Sequence, residues 1–182
     1  MAEELAALVY RTALGDQRAF EQLYQATSPQ LYALAIAVLR NRDLAQDTLQ
    51  EAFISIWHAA GSYNASKGGV QTWLNVIVRH RCIDRLRRLP KNETHFNEAE
   101  WANIEADGPT PLQYLVQDAD ARGLARCLNG LDGQQRDALT LAYFHGLTHS
   151  ELATHLKAPL GSVKSRVRRG LSSLRRCLHH EA

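Results

Sequence analysis

The chain has 182 residues, of which 45% are apolar and 22% are charged, close to the composition of an average globular protein. This composition excludes a disordered or fibrous protein, and the length suits one or two compact domains. The net charge is only +2, a value that taken alone says little about a polyanionic partner.

The charge is unevenly distributed and divides the chain into three segments. Residues 1–88 carry a net charge of +2, residues 89–120 carry −6 and residues 121–182 carry +6. The middle segment also contains three prolines, few apolar residues and no sustained period, which is typical of a flexible linker. We therefore predict two domains, residues 1–88 and 121–182, joined by an acidic linker.

The first segment is predicted to be helical from about residue 20. Apolar residues recur at i, i+3 and i+4 between positions 20 and 39, and Ser28-Pro29 within that stretch predicts a helix start. Asp43-x-x-Gln46 is similar to a capping box and predicts a second helix, ending at Gly61. The predicted inward residues of this helix are Leu49, Ala52, Phe53, Ile56 and Trp57. After a polar loop, residues 62–69, a further helix is predicted over residues 71–89. Its predicted inward residues are Trp73, Val76, Ile77, Ile83 and Leu86.

The last segment is predicted to form four shorter helices. Leu124, Leu128 and Leu131 close the first helix, and Asp132-x-x-Gln135 opens the second, which Gly146 breaks. Thr148-x-x-Glu151 is a capping box for a third helix. A fourth helix is predicted from about residue 160 to residue 178. Because no segment alternates polar and apolar residues, we predict an all-α protein of two small helical domains, the second a four-helix unit.

The last helix separates an apolar face from a basic face. At 100° per residue the two sets of side chains fall into different sectors. The apolar set is Val163, Val167, Leu171, Leu174 and Leu178, and the polar set is Lys164, Ser165, Arg168, Arg169, Arg175 and Arg176. No acid lies between residues 152 and 180, so repulsion between like charges is uncompensated, which favours an external anion.

A short capped helix, a three-residue turn and a basic helix form the arrangement of a DNA-binding helix-turn-helix. The amino-terminal end of the second helix enters the major groove, so the predicted base-edge contacts are Ser162, Lys164, Ser165 and Arg168. Arg169, Arg175 and Arg176 are predicted to meet phosphates. Lysine and arginine pair with guanine O6 and N7, and serine with either type of base. The alternative is a basic face that only promotes solubility.

The amino terminus and the cysteine content predict a soluble cytosolic protein. The first residues, Met-Ala-Glu-Glu, are acidic, and no apolar run of signal-peptide length follows them. No segment reaches the roughly 18 consecutive apolar residues of a membrane span. Three cysteines are too few for a secreted disulfide scaffold. Neither CxxC nor HExxH occurs, so we expect no metal and no cofactor.

Both predicted domains resemble the extracytoplasmic-function (ECF) sigma factors of bacterial RNA polymerase. The stretch GLTHSELATHL…PLGSVKSRVRRGL, within residues 131–178, is similar to region 4 of that family. DLAQDTLQEAFISIW at 43–57 and TWLNVIVRHRCIDRLRR at 72–88 are similar to region 2. The resemblance implies a promoter-recognition subunit and not an enzyme. Region 4 would bind the −35 element as duplex, and region 2 would recognise the −10 element and help to melt it.

The resemblance also implies roles for individual residues and partners. The implied −35 contacts are Ser162, Lys164, Ser165, Arg166, Arg168, Arg169 and Arg176. The implied −10 contacts are Tyr63, Asn64, Ser66, Lys67, Trp73, Arg79, His80, Arg81, Arg85 and Arg88. The implied contacts with the coiled coil of the largest subunit of core RNA polymerase are Asp47, Gln50, Glu51 and Ile54, whereas Trp57 fits either a contact or the core. An anti-sigma factor is the further expected partner.

The −10 residues also have a physical basis. Arg81, Arg85 and Arg88 lie at i, i+4 and i+7 of the predicted helix and form a stripe that can follow a phosphate backbone. The loop at residues 62–69 is polar and flexible enough to hold an unstacked base, whose edges would be recognised by hydrogen bonds. The alternative is an ordinary surface loop.

Cys127 and Cys177 lie on the first and last helices of the predicted four-helix unit. If these helices pack together, the two thiols are close, and a regulatory disulfide between them is one hypothesis. Buried, reduced thiols are the state expected in a cytosol. A Cα–Cα distance above about 7 Å would exclude the bond.

Two other classes of function compete with a sigma factor. A stand-alone helix-turn-helix regulator would use its amino-terminal helices as a dimerisation or sensor domain, and would bind a palindromic duplex without polymerase. A helical enzyme is disfavoured because the sequence contains no nucleophile–base set, phosphate-binding loop or metal spacing.

Overall fold

The computed structural model describes residues 2–89 and 119–181, and every regular element within these two ranges is a helix. The predicted all-α fold is therefore confirmed. The chain divides into two units, Met1–Gly108 and Pro109–Ala182. The boundary between the units falls within the predicted linker, residues 89–120, most of which lies outside the described residues.

The first unit contains four α-helices. They are α1 (Ala2–Ala13), α2 (Gln17–Leu39), α3 (Arg42–Ala59) and α4 (Val70–Arg88). Two short 3-10 turns, Ala60–Ser62 and Ala65–Lys67, lie between α3 and α4. Helix α1 is not among the predicted elements. It packs against α2 and against the first 3-10 turn, and so belongs to the same bundle.

Helix α2 is continuous, so the predicted helix start at Ser28-Pro29 is wrong. The N-cap is Asp16, whose carboxylate accepts a hydrogen bond from a backbone N–H of the first turn at 3.0 Å. Pro29 lies on the exposed face inside the helix, where water can satisfy the carbonyl that loses its N–H partner. The opposite face, at Leu23 and Leu31, is fully buried. Burial of that face offsets the cost of an interior proline, about 3 kcal/mol.

Helix α3 begins earlier than the sequence predicts. Its N-cap is Asn41, whose side-chain oxygen accepts a hydrogen bond from the Leu44 N–H at 3.0 Å. Asp43 lies in the first turn, so the predicted start at Asp43 is wrong, although a carboxylate there suits the helix dipole. The predicted inward face is confirmed at its four buried positions, Leu49, Ala52, Phe53 and Ile56.

Helix α4 buries the predicted inward residue Ile83, but its main buried stripe differs from the predicted one. The buried stripe is Val70, Leu74, Val78 and Cys82, at i,i+4 spacing, with Ile83 beside it. The predicted inward position of Val76 is wrong, because that side chain is 44% exposed. Helices α2 and α3 both pack against α4 and select which of its apolar residues are covered. Burial raises the pKa of the Cys82 thiol to about 12, so this thiol stays protonated.

The second unit contains four described helices. They are α5 (Ala119–Asn129), α6 (Gly133–Phe144), α7 (His149–His155) and α8 (Leu160–Glu181). Asp132 is the N-cap of α6, as predicted, and accepts a hydrogen bond from the Gln134 N–H at 3.0 Å. Leu141, Leu152 and Val163 are buried together, and each comes from a different one of α6, α7 and α8. One core therefore supports all three of these helices.

Helix α8 turns a glycine and not a leucine towards α6. Leu171, predicted to lie in the apolar face, is 53% exposed, so that prediction is wrong. Gly170 is buried, and a Cβ atom at this position would lie 2.9 Å from Cδ1 of Leu139 on α6. The absence of a side chain at Gly170 thus lets α6 and α8 approach closely. Val163, in the first turns of α8, is fully buried as predicted.

Replacing Leu152 with alanine is expected to destabilise the second unit by about 3 kcal/mol. Leu152 is fully buried between α6 and α8, so truncation removes apolar contacts and leaves a cavity. Guanidinium unfolding followed by circular dichroism measures the change. Leu171→Ala is the matched control, since Leu171 is exposed, and is expected to stay within about 0.5 kcal/mol of the wild type. Equal effects of the two changes would contradict the described core.

Candidate nucleic-acid interface

Helices α7 and α8 form a capped helix-turn-helix. The Thr148 hydroxyl accepts a hydrogen bond from the Glu151 N–H at 3.3 Å, and the Glu151 carboxylate accepts one from the Thr148 N–H at 2.7 Å. The predicted capping box is therefore confirmed. Four residues, 156–159, separate the helices, one more than predicted. Lys157 adopts a left-handed conformation, with φ of 47°, and reverses the chain between them.

The predicted −35 residues lie on α8, and most of them face solvent. The exposed members are Ser162, Lys164, Arg168, Arg169 and Arg176, and Arg175 beside them is also exposed. Ser165 and Arg166 are half-buried. Val163 and Gly170 lie on the buried side of the same helix, so the core holds α8 by one face and leaves a basic face free. Such a face suits a polyanion.

The predicted −10 arginines lie on α4, away from its buried stripe. Arg81 and Arg88 are exposed, and Arg85 between them is half-buried. His80 is exposed and Arg79 is half-buried. The spacing of i, i+4 and i+7 places the three arginines along one side of the helix. This side could follow a phosphate backbone for about two helical turns.

The predicted base-binding loop projects from the bundle between α3 and α4. We define the reading loop as residues 64–69, all of which are exposed. Asn64 orders it: its side-chain oxygen accepts hydrogen bonds from the Ser66 N–H at 2.9 Å and from the Ser66 hydroxyl at 2.7 Å. Lys67 is exposed at the end of the second 3-10 turn. The loop thus presents amide, hydroxyl and ammonium groups to solvent.

Tyr63 lies at the start of the reading loop but not on its surface. It is only 8% exposed, and its ring lies 5.6 Å from the ring of Tyr10 and 5.5 Å from that of Trp73, between centroids. Trp73, on α4, is half-buried. The structure therefore places Tyr63 in the core of the first unit, and leaves the reading loop itself to offer polar groups to a base.

The predicted polymerase-docking residues share one exposed face of α3. Asp47, Gln50, Glu51 and Ile54 are all exposed, and Ile54, at 60%, is an apolar side chain in contact with water over most of its surface. Trp57 is half-buried, with its ring 5.1 Å from that of Phe20 on α2. This face of α3 therefore offers a partner one apolar side chain together with polar and acidic ones.

A groove of about 580 Å³ separates α3 from α4. Its walls are Ile54, Ser55, His58 and Ala59 from α3, and Ile77, His80, Arg81 and Asp84 from α4. The groove brings Ile54, a predicted polymerase contact, to the same depression as His80 and Arg81, two predicted DNA contacts. His58 was not a predicted site residue. No periodic or motif signal could have identified it, because its place depends on how α3 and α4 pack.

Cys127 and Cys177 form a disulfide between α5 and α8. Their Cα atoms are 5.7 Å apart, within the range of a disulfide and below the limit of about 7 Å. The bond joins the first and last helices of the second unit, 50 residues apart in sequence. Cys82, in the other unit, is the free cysteine.

Metal-binding clusters and membrane-spanning helices are both absent from the described residues. Within residues 2–89 and 119–181, no group of three or more His, Cys, Asp or Glu side chains is placed to hold a metal ion. None of the described helices is long and apolar enough to cross a membrane.

Comparison with known proteins gives matches over both units. Residues 23–91 match the family Sigma-70 region 2, and residues 121–174 match Sigma-70, region 4. The ECF RNA polymerase sigma factor SigK of Mycobacterium ulcerans is 32% identical, over 97% of this chain and 95% of the relative. SigK of Mycolicibacterium vanbaalenii is 34% identical, over 96% and 89%. Among solved structures, Rhodobacter sphaeroides SigE in complex with the anti-sigma ChrR is 29% identical, over 97% of this chain and 98% of that chain, with a TM-score of 0.46.

Proposed function

The chain belongs to the ECF sigma factors of RNA polymerase, and from this premise we propose that its two units bind different parts of one promoter. As a sigma factor it is a transcription-initiation subunit that acts with core RNA polymerase. Its work is binding and strand separation, which need positioned side chains and no covalent step. The proposal assigns the −35 element to the second unit and the −10 element to the first.

The observation that carries the −35 assignment is the division of α8 into a buried and a basic face. Its amino-terminal turns present Ser162, Lys164 and Arg168 to solvent, and the capped α7 packs behind them. In a helix-turn-helix these positions enter the major groove, where lysine and arginine pair with guanine. Arg169, Arg175 and Arg176 lie where phosphates would pass. These phosphate contacts would neutralise DNA charge.

The −10 assignment uses the arginine side of α4 together with the reading loop. Arg81, Arg85 and Arg88 would hold the backbone of the melted strand. Asn64, Ser66 and Lys67 would recognise the edge of an extruded base through hydrogen bonds. Unpaired bases expose donor and acceptor groups that a duplex conceals, so a polar loop gains affinity only after melting.

Core polymerase would dock on the exposed face of α3 formed by Asp47, Gln50, Glu51 and Ile54. An apolar anchor surrounded by polar side chains is the usual composition of a hot spot. The proposed partner of this face is the coiled coil of the largest subunit of core polymerase. Since polymerase works in the cytoplasm, the proposed location is cytoplasmic. Membership of the family also supports an anti-sigma factor as a regulatory partner.

We propose in addition that the Cys127–Cys177 disulfide is regulatory. It joins α5 to the carboxyl-terminal part of α8, the helix that carries the −35 contacts. Reduction would release that end of α8 while the buried Val163 holds its beginning. A change in redox state would then alter the structure of the second unit and leave that of the first unit unaffected.

Run-off transcription with core polymerase on genomic fragments tests the proposed function directly. The expected result is initiation at mapped start sites that share −35 and −10 elements. A chain that fails to initiate, yet binds a palindromic duplex without polymerase, would instead be a stand-alone helix-turn-helix regulator.

Arg81→Ala is expected to weaken promoter binding by a similar factor on every promoter and to lower the salt slope of binding by about one. A phosphate contact carries no sequence information, so its loss removes one released counterion and no base preference. Filter binding of holoenzyme at several salt concentrations measures both quantities. Arg18→Ala, an exposed arginine on α2, is the control and should leave the slope unchanged. A loss confined to some promoters would contradict a backbone contact.

A further inference from the structure

We propose that Tyr10 of α1 is a positioning residue for the reading loop and so helps to determine the base preference at the −10 element. The inference rests on the proposed function and assigns a role to a helix outside the predicted promoter contacts. Tyr10 does not itself need to touch DNA. It acts through Tyr63, the residue that immediately precedes the loop.

The first step of the argument is that the loop is held in place by its ends. Its hydrogen bonds are local: Asn64 bonds to Ser66, and the Lys67 N–H donates to the Asn64 carbonyl at 3.0 Å. Such bonds fix the shape of the loop but not its orientation on the bundle. The chain is anchored where it becomes buried, at Tyr63 before the loop and at Val70 after it.

The second step concerns what holds Tyr63. Its ring packs against two others, with centroids 5.6 Å from Tyr10 and 5.5 Å from Trp73 and ring planes inclined at 47° and 55°. The contact with Trp73 links Tyr63 to the arginine-bearing α4. The contact with Tyr10 links it to α1. Because Tyr10 is itself 47% exposed, removing its ring would open Tyr63 to water without emptying the deep core.

The third step is that α1 can bear this load, since it is fixed to the bundle at other points. Val9, next to Tyr10 in sequence, and Thr12 are both buried and hold α1 against the bundle. Arg11 forms an ion pair at 2.7 Å with Asp16, the N-cap of α2. A loss at Tyr10 is therefore expected to act on the loop rather than detach the helix.

The test uses holoenzyme reconstituted with core polymerase and fork templates whose −10 non-template strand is single-stranded. For each variant, binding is measured to the matched −10 sequence and to a single-base substitution. Tyr10→Ala is expected to lower the ratio of the affinities for the matched and the substituted template roughly fivefold. This change corresponds to the free energy of one aromatic pair. Tyr10→Phe keeps the ring and should keep the ratio. Leu14→Ala, in the turn that directly follows α1 and 87% exposed, is the control and should also keep it.

Three results would overturn the inference. The first is an unchanged ratio in Tyr10→Ala, even if total binding falls, since a merely structural role lowers binding to both templates alike. The second is an equal loss in Tyr10→Ala and Tyr10→Phe, which would point to the hydroxyl group rather than ring packing. The third is global unfolding of Tyr10→Ala, detected by thermal unfolding of each variant, which would assign the residue to stability instead. A wild-type protein without any base preference would refute the proposed function itself.

Discussion

Replacing Lys164 and Arg168 together with alanine is expected to lower transcription from a matched promoter by about 100-fold, and each change alone by about tenfold. Both side chains are exposed near the amino-terminal end of α8, outside the face that Val163 buries. A lost bidentate contact with a base edge costs more than a lost phosphate contact, and the loss depends on sequence. Run-off assays on promoters with single substitutions in the −35 element measure it.

The −35 prediction has a control within the same unit. Arg136, on α6, is an exposed arginine outside the helix-turn-helix, and Arg136→Ala should stay within about twofold of the wild type. The double variant should also discriminate less between matched and substituted −35 elements. Full activity of the double variant on the matched promoter, or an equal loss on every −35 sequence, would contradict α8 as the base-reading helix.

Reduction of the Cys127–Cys177 bond is expected to destabilise the second unit by about 4 kcal/mol. The bond closes a loop of 50 residues, and the chain-entropy model gives this value because reduction frees the unfolded ends of the loop. A unit of this size has a small core, so such a loss is a large share of its stability. Guanidinium unfolding with and without dithiothreitol measures the difference.

The double variant Cys127→Ser/Cys177→Ser serves as the control for reduction. It should unfold near the midpoint of the reduced wild type and show no response to dithiothreitol. Thiol titration of the unreduced wild type should find the buried Cys82 only after unfolding. Three reactive thiols in the unfolded, unreduced protein would show that the bond does not form in solution.

Local signals were the most predictable part of this fold. The capping box at Thr148 and Glu151 and the N-cap at Asp132 are hydrogen-bonded as predicted. Such bonds join residues two or three positions apart, so the sequence alone determines them. Asn41 shows the limit of the approach: asparagine caps α3, although Asp43 offers a similar pattern two residues later.

The choice of buried face was less predictable because it depends on distant helices. Both Val76 and Val78 fit a helical pattern, yet only Val78 faces α2 and α3. Leu171 has the more apolar side chain, but the close approach of α6 favours Gly170 beneath it. Periodicity identifies a helix with two candidate faces, and tertiary packing selects one.

The predictability of the candidate site also depends on whether a feature lies within one helix or arises from packing between helices. The basic face of α8 and the arginines of α4 follow from spacing within one helix, and the structure exposes most of them. Tyr63 differs because its neighbours come from α1 and α4, and α1 was not predicted. The polar loop around it indicated an exposed ring, whereas Tyr10 and Trp73 bury it.

The groove between α3 and α4 has a thermodynamic consequence. Ile54 and Arg81 line one depression, so a partner bound at Ile54 would change the surroundings of Arg81. If polymerase docks at Ile54 and the −10 strand binds at Arg81, as proposed above, the two affinities are linked, and linkage is reciprocal. By whatever factor bound polymerase raises the affinity for the −10 strand, the bound strand must raise the affinity for polymerase by the same factor. Complete strand separation would strengthen the binding of this chain to core polymerase, and re-annealing of the strands would weaken it.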